Sequence, residues 1–382
     1  MSAPYMEEAR SLPKLRASIV TPTHNRCASL ERVLCALGEQ TVPPSQFEVV
    51  LVADGCDDDT VPRCKMLQAQ LPYRLRLIEQ VNTGPAAARN RAVAEASAPL
   101  IVFIDDDVIP DPSWLEQHLA AHDASGDDML VVIGPLLPPL NQRLNAWGAW
   151  EEHTLCDQYA AMSAGQWQPT YRQFYTGNAS LARRHILDAG GFNAAFLRAE
   201  DIELGLRLKR LGCRFAFVES ARAWHHVWRS FASWARMPVA YGRATVAIGR
   251  AHEMVNVENA ATEYLNRNAP TRACVQLCLK SPRRIRWMTR ALHGVAVLLW
   301  ALRLQPAAFI SCGILYNLRY YAGFAEEIGG VDVFWHLIET ARTAPPGGGP
   351  QSALTMLVAQ LLGRPLPAVT PQSNQVEMRV DR

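Results

Sequence analysis

Asp105-Asp106-Asp107 stands directly after the apolar run Leu100 to Ile104. Three consecutive carboxylates at the end of a buried strand repel one another and are costly unless a cation or water neutralises them. Oxygen ligands of this kind suit magnesium or manganese, which keep waters and take substrate phosphates as further ligands. Asp54 stands in a comparable place after Phe47 to Val52, where a carboxylate can accept hydrogen bonds from a base or ribose. The neighbouring Asp57-Asp58-Asp59 reads as a solvated turn, with Asp59 or Thr60 capping the next helix. Glu200-Asp201 opens a helical pattern, where a carboxylate either takes a proton from a hydroxyl or only complements the helix dipole. His225-His226 follows Trp224; an imidazole there either completes a metal shell or is structural.

These residues need elements to position them. Ala17 to Val20, Phe47 to Val52, Arg74 to Ile78 and Leu100 to Ile104 read as strands. Between them Ser29 to Leu37, Thr60 to Gln70 and Ala86 to Ala96 read as helices, the first with a serine cap and Gly38 at its end. Short strands separated by helices predict an α/β fold, a mainly parallel twisted sheet with helices on both faces. Ligands of such sheets lie beyond the carboxyl ends of the strands, where the acids fall. From Gly134 to Thr176 the pattern loosens into an aromatic insertion over the sheet, in which Trp147, Trp150 and Trp167 either stack on an acceptor or anchor the segment. Ala199 to Leu211 is helical and Phe215 to Val218 a short strand.

With 38 basic and 36 acidic residues the formal charge is +2, so no global field draws the chain to nucleic acid. Nine cysteines are scattered without a zinc-knuckle pattern and read as reduced packing residues. Asn178-Ala179-Ser180 matches a glycosylation acceptor, a pattern that means little without a secretory route. No apolar run reaches the roughly 18–20 residues of a membrane span and no secretory signal is evident, so a cytoplasmic protein is expected. The segment after Thr21 holds no glycine, which excludes the dinucleotide fingerprint and the phosphate loop.

In chain order, Pro22-Thr23-His24-Asn25-Arg26, Asp54-Gly55, Gly84 through Arg89-Asn90, and Phe103-Ile104 with the aspartate triplet resemble the inverting family-2 glycosyltransferases of GT-A fold. Gly177-Asn178-Ala179-Ser180, Gly190-Gly191-Phe192, Glu200-Asp201, and His225-His226 followed by Ser230 continue that order, so the resemblance covers about residues 17–235. It implies a nucleotide-sugar donor in its UDP form, a hydroxyl-bearing acceptor (saccharide, lipid-linked or small molecule) and Mn2+ or Mg2+. Thr21, Pro22, Asn25, Arg26, Asp54, Gly84, Arg89, Asp105 and Asp106 would bind the donor, Asp54 at the base, Arg89 at the diphosphate or base and Asp105 at the ribose or sugar. Asp107 with His225 or His226 would hold the metal, Asp201 would be the catalytic base with Glu200 as its alternative, and Asn178 and the three tryptophans would meet the acceptor. Placed at a helix start, Asp201 is expected to be ionised near neutral pH.

Two other classes fit the alternating sheet. A sugar nucleotidyltransferase would want a glycine-rich loop with a basic residue after the first strand, where this chain has Pro22-Thr23-His24. A non-catalytic nucleotide-binding scaffold is the other, since folds do not fix function. Domains are expected at 1–16 (extension), 17–235 (catalytic, with a nucleotide half to 133 and an acceptor half from 134), 236–343 (helical) and 344–382 (flexible tail). In the helical region Lys280, Arg283, Arg284, Arg286 and Arg290 precede the apolar stretches Ala291 to Leu302 and Ala307 to Leu315. Basic residues beside such helices read either as a peripheral membrane contact or as a core helix pair with a solvated edge.

Overall fold

A computed structural model describes residues 15–139, 143–226, 229–252, 254–344 and 352–364. The chain forms two compact units, one ending at Arg229 and one beginning at Ser230. The first runs β1 (Ala17–Thr23), α1 (Cys27–Gly38), β2 (Phe47–Asp54), α2 (Thr60–Gln68), β3 (Arg74–Gln80), α3 (Pro85–Glu95), β4 (Leu100–Ile104), β5 (Val108–Pro110) and α4 (Trp114–Ser125). It continues with β6 (Leu130–Ile133), β7 (Leu136–Leu137), α5 (Ala146–Ser163), β8 (Asn178–Ala182), α6 (Arg183–Asp188), α7 (Glu200–Arg210), β9 (Arg214–Phe217) and β10 (Ala223–His225).

Seven strands form one sheet in the order β3-β2-β1-β4-β8-β6-β9, and β5-β10-β7 form a second, smaller one. In the large sheet β8 alone runs antiparallel to its neighbours β4 and β6. The expected mainly parallel sheet flanked by helices is therefore present. Its strands alternate between two cores, as the two-residue period of a strand requires. Ile19, Val49, Leu51, Val102 and Ile104 pack with Leu30, Val33, Leu34 and Leu37 of α1. Val20, Val50, Val52, Ile101 and Phe103 pack on the other face with Ala88, Ala92 and Val93 of α3. Burial on both faces is why these strands are nearly uninterrupted apolar runs.

Several expectations are corrected. Helix α1 begins at Cys27, its N-cap Arg26 makes no side-chain capping bond, and Ser29 lies inside the first turn. The start of α2 is tied by Asp58, whose Oδ1 accepts from Thr60 N at 2.9 Å, rather than by Asp59 or Thr60. The segment from 134 to 176 is not irregular, because it holds the 18-residue α5, capped by Asn145. Only Ala146, Tyr159 and Met162 of α5 are buried, so it lacks the one-sided apolar stripe that announces a helix.

The second unit is helical: α8 (Phe231–Ala251), α9 (Val255–Asn266), α10 (Ala269–Cys278), α11 (Pro282–Ala301), α12 (Gln305–Ile328), α13 (Val331–Thr343) and α14 (Ala353–Leu362). The expected boundary at 235 thus falls inside α8. Residues 353–362 of the expected flexible tail form a helix that buries Leu354, Val358 and Leu362, while the Pro/Gly break at 345–350, residues 365–382 and residues 1–14 lie outside the described residues. No described helix is long and apolar enough to cross a membrane.

Helices α8 and α12 touch backbone to backbone at glycines. A Cβ at Gly242 would come within 2.1 Å of Tyr320 O, and one at Gly323 within 2.1 Å of Val239 O. Neither neighbour is a side-chain tip that can swing aside. Gly242→Ala and Gly323→Ala are each expected to cost at least the roughly 1–3 kcal/mol typical of overpacking. Thermal unfolding followed by circular dichroism checks this, with Gly294→Ala as the control that leaves the midpoint unlowered, since a Cβ there meets nothing within 4 Å.

Candidate active site

The aspartate triplet leaves β4 and its last member meets a histidine from the far end of the first unit. β10 pairs antiparallel with β5, setting His225 opposite Val108. His226 N donates to Asp107 O at 2.8 Å, extending that ladder by one bond. His225 Nε2 then lies 3.5 Å from Asp107 Oδ1. The His226 ring makes no ion pair with the triplet, so of the two histidines only His225 is brought to Asp107 by its side chain. Arg26 lies against the same acids: its Nη1 bonds to Asp107 Oδ2 and stands 3.5 Å from Asp106 Oδ1. Thr23 Oγ1 donates to Asp106 Oδ2 at 2.7 Å.

Burial pushes Asp107 up, but His225 and Arg26 outweigh it and bring the carboxyl down to about 2. Burial pushes Asp106 up to about 6 against the pull of Thr23 and Arg26. Among the described residues no group of three or more His, Cys, Asp or Glu forms a ready metal cage. The residues present nevertheless fit a hard divalent ion. An ionised carboxylate and an imidazole nitrogen face each other, and the Arg26 guanidinium is a cation already docked on the acids. The remaining ligands of such an ion commonly come from substrate phosphates and water.

Asp54, at the end of β2, is buried and shapes a loop. Its Oδ1 accepts from Thr83 N at 2.9 Å and Gln80 Nε2 at 2.8 Å, and its Oδ2 accepts from Gly84 N at 2.8 Å. Gly84 takes φ 90° as the N-cap of α3, a conformation that favours glycine. His24 Nδ1 contacts Asp54 O at 2.8 Å, which ties the loop after β1 to the end of β2. Asn25, at φ 53°, bonds through its side chain to Asp57. Asp57, read as a solvated turn residue, therefore pins the loop carrying Arg26. Thr21 is buried in β1 with its Oγ1 unpartnered, and Pro22 follows it, half-buried.

A second group centres on Arg89 of α3. Its Nη2 donates to Asp105 Oδ1 at 2.7 Å and its Nη1 to Glu200 Oε1 at 3.0 Å, while its guanidinium lies 5.8 Å from the Phe192 ring centre. Burial would lower its pKa, but Asp105 and Glu200 prevail and hold it above the usual value. Expected at the diphosphate or base, the Arg89 guanidinium is buried and bridges the end of β4 to α7. Asp201, next to Glu200, accepts from Ile202 N at 2.8 Å. The expectation that it is readily ionised is also corrected. Burial, and then the charge of Glu200, raise its pKa toward neutrality, outweighing the Ile202 N–H and Arg89. A helix end contributes too little to offset desolvation beside a second carboxylate.

Asn178 is no acceptor contact. It is fully buried at the start of β8, where Oδ1 accepts from Trp114 Nε1 at 2.7 Å and faces His118 Nε2 at 2.9 Å. Its Nδ2 donates to Pro135 O and Ala221 O. His118 Nδ1 and His122 Nε2 both reach Ser180 Oγ, at 2.9 and 2.8 Å. Sequence reading missed this network, although His118 and His122 stand one helical turn apart. Of the tryptophans, Trp147 donates from Nε1 to Arg229 O at 3.1 Å, which favours its anchoring alternative. Trp150 on α5 and Trp167 beyond it are half-buried. Glu152 of α5 was also missed; burial pushes its carboxyl up to about 7, with His225 near enough to oppose that.

Comparison with known proteins finds likeness in sequence and in fold. A family model described as Glycosyl transferase family 2 matches residues 18–201. Validoxylamine A glucosyltransferase of Streptomyces hygroscopicus subsp. limoneus is 32% identical over 218 residues, covering 51% of this chain and 48% of that protein. Hyaluronan synthase of Pasteurella multocida is 28% identical over 240 residues, covering 54% of this chain and 24% of that protein. The chain thus spans about half or less of the length of these curated relatives. Among solved structures, S. aureus TarS 1-349 in complex with UDP-GlcNAc superposes with TM-score 0.52 at 17% identity, covering 83% of this chain and 93% of that one. Mannosyltransferase PcManGT from Pyrobaculum calidifontis, in complex with GDP-Man and Mn2+, gives TM-score 0.50 at 17% identity over 91% of this chain and 85% of that one. Sheet order, strand-end acids and the family match together mark residues 18–201 as similar to glycosyl transferase family 2, on a GT-A type fold.

Proposed function

We propose that the chain transfers a sugar from a nucleoside diphosphate sugar, in its UDP form, to a hydroxyl-bearing acceptor with inversion at the anomeric carbon. The observation that carries this reading is the meeting of two acid groups beyond the strand ends: Asp106 and Asp107 with Arg26 and His225, and Asp105 with Arg89, Glu200 and Asp201. The UDP choice rests on the TarS complex with UDP-GlcNAc; the PcManGT complex holds GDP-Man, so GDP is the competing nucleotide.

In this reading Asp107 and His225 would hold Mn2+ or Mg2+, which would supply Lewis-acid stabilisation to the leaving diphosphate. Arg26, which lies against Asp106 and Asp107, would add positive charge to the same oxygens. Arg89 sets the distance between Asp105 and Glu200, and so positions the start of α7. Asp201 accepts the acceptor's hydroxyl proton as its oxygen bonds to the anomeric carbon, while the bond to the diphosphate breaks and the nucleoside diphosphate departs.

Screening UDP-, GDP- and TDP-sugars for slow hydrolysis with manganese and no acceptor tests the donor class. Absence of hydrolysis for all of them, with nucleotide still bound, would leave a binding scaffold. The metal site has its own test. Asp107→Ala is expected to weaken manganese-dependent UDP binding by more than about tenfold in calorimetry. His225→Ala is expected to do the same to a lesser degree, and His226→Ala not at all. Unchanged binding in Asp107→Ala removes Asp107 as the ligand.

A further inference from the structure

Helix α11 is 20 residues long and buries a single residue, Ala296. Its outward stripe follows helical spacing through Arg283, Trp287, Arg290, Gly294 and Leu298, all exposed. Trp287 is 67% exposed and Leu298 59%. The apolar surface continues through Val297, Leu302 and Leu304 to Ile310 at the start of α12, all exposed as well. Scattered exposed leucines mean nothing, but Trp287 and six exposed aliphatic side chains between Val295 and Ile310, on two successive helices, mark a contact surface. Its charge is one-sided: between Tyr264 and Ala325 the sequence holds nine Lys and Arg and no Asp or Glu. Lys280, Arg283, Arg286, Arg290 and Arg303 form no ion pair with any described residue.

We propose that this face of α11 and the start of α12 is a membrane-docking surface that lies in the plane of an anionic lipid bilayer. Trp287 and the aliphatic residues enter the headgroup and upper acyl region, and the arginines meet lipid phosphates. The inference stands apart from the glycosyltransferase reading. A spanning arrangement is ruled out for the described helices, none of which is long and apolar enough to cross. A flat arrangement also accommodates Arg303, which sits between Leu302 and Leu304 and would be stranded in hydrocarbon if the helix turn entered end-on. A second copy of the chain is a poorer occupant, because a two-fold contact across this face sets the same arginines against themselves with no acid to pair them. An anionic surface meets the apolar and the cationic parts at once.

Flotation of the full chain with vesicles decides the matter. With vesicles of equal parts phosphatidylcholine and phosphatidylglycerol at low salt the protein is expected to float. With pure phosphatidylcholine, or in molar salt, it is expected to remain at the bottom. Removing three charges in Arg283→Gln/Arg286→Gln/Arg290→Gln is expected to lower partitioning roughly 100-fold. Trp287→Ala/Leu298→Asp is expected to lower it at low salt as well, with every arginine still in place. These positions are exposed, so the thermal midpoint and donor hydrolysis should match wild type, which separates lost docking from lost folding. No flotation at low salt, equal flotation on neutral vesicles, or flotation insensitive to both variants overturns the proposal. A concentration-dependent dimer in light scattering that Leu298→Asp abolishes, with no vesicle binding, assigns the face to self-association instead.

Discussion

Asp201→Asn is expected to lower the turnover of sugar transfer by about two to four orders of magnitude while donor affinity changes little. The substitution keeps size and most hydrogen bonding, including acceptance from Ile202 N, but the amide cannot take a proton. Direct binding of donor and steady-state kinetics separate the outcomes. Equal loss of affinity and turnover makes Asp201 a binding residue. Near-normal turnover moves the base to Glu200 or out of α7, and product with retained anomeric configuration removes single displacement altogether.

The raised pKa of Asp201 adds a pH signature whose sign is fixed by its role. A general base works in its deprotonated form, so turnover should climb about tenfold per pH unit on the acid side and level off in the neutral range. Burial is the first cause of the shift and Glu200 the second, with Asp105 adding to them and Arg89 opposing. Glu200→Gln removes one negative neighbour and is expected to move the acid limb to lower pH. A limb that stays in place in Glu200→Gln, or that survives in the residual activity of Asp201→Asn, belongs to another group. For stability the sign is the reverse of the usual aspartate. The folded state holds this proton more tightly than the unfolded chain, so Asp201 withdraws stability as pH rises from the ordinary carboxylate range toward neutrality.

The parts of this site legible in the sequence are those that end apolar runs. β1, β2 and β4 are covered on both faces and read as nearly uninterrupted hydrophobic strands, so Asp54 and the aspartate triplet could be placed at strand ends without a structure. What could not be read depends on pairings distant in the chain. β5 and β10 are three residues each, too short for a periodic signal, yet their register alone brings His225 rather than His226 to Asp107. The state of Asp201 failed for a related reason. Helix position is local and visible in sequence, whereas the burial and the neighbouring acid that prevail over it come from tertiary packing. Arg89 shows the same limit: its type and place suggested phosphate, and only the fold reveals that Asp105 and Glu200 already hold it.

Asn178→Ala carries the largest expected stability effect, on the order of 3–5 kcal/mol, because it orphans several buried partners at once. The amide fills a crevice between Trp114, His118, Pro135 and Ala221, all four within 2.9 Å of its nitrogen or oxygen. Its orientation is set, since Nδ2 must donate to the two carbonyls and Oδ1 must accept from the indole. His118 Nε2 therefore carries a proton toward Oδ1, and Nδ1 is left to accept from Ser180 Oγ. Burial drives the His118 pKa down to about 4, so the ring is neutral at physiological pH and this tautomer is the one the network requires. Alanine would leave the Trp114 N–H, the His118 N–H and the Ala221 carbonyl without partners in a crevice closed to bulk water, while Pro135 O keeps only Ala223 N at 3.3 Å. A fall in thermal midpoint on the order of ten degrees, with the acceptor KM of the folded enzyme unchanged, is the expected result. A raised acceptor KM with an unchanged midpoint would return Asn178 to the acceptor side, the role its sequence motif suggested.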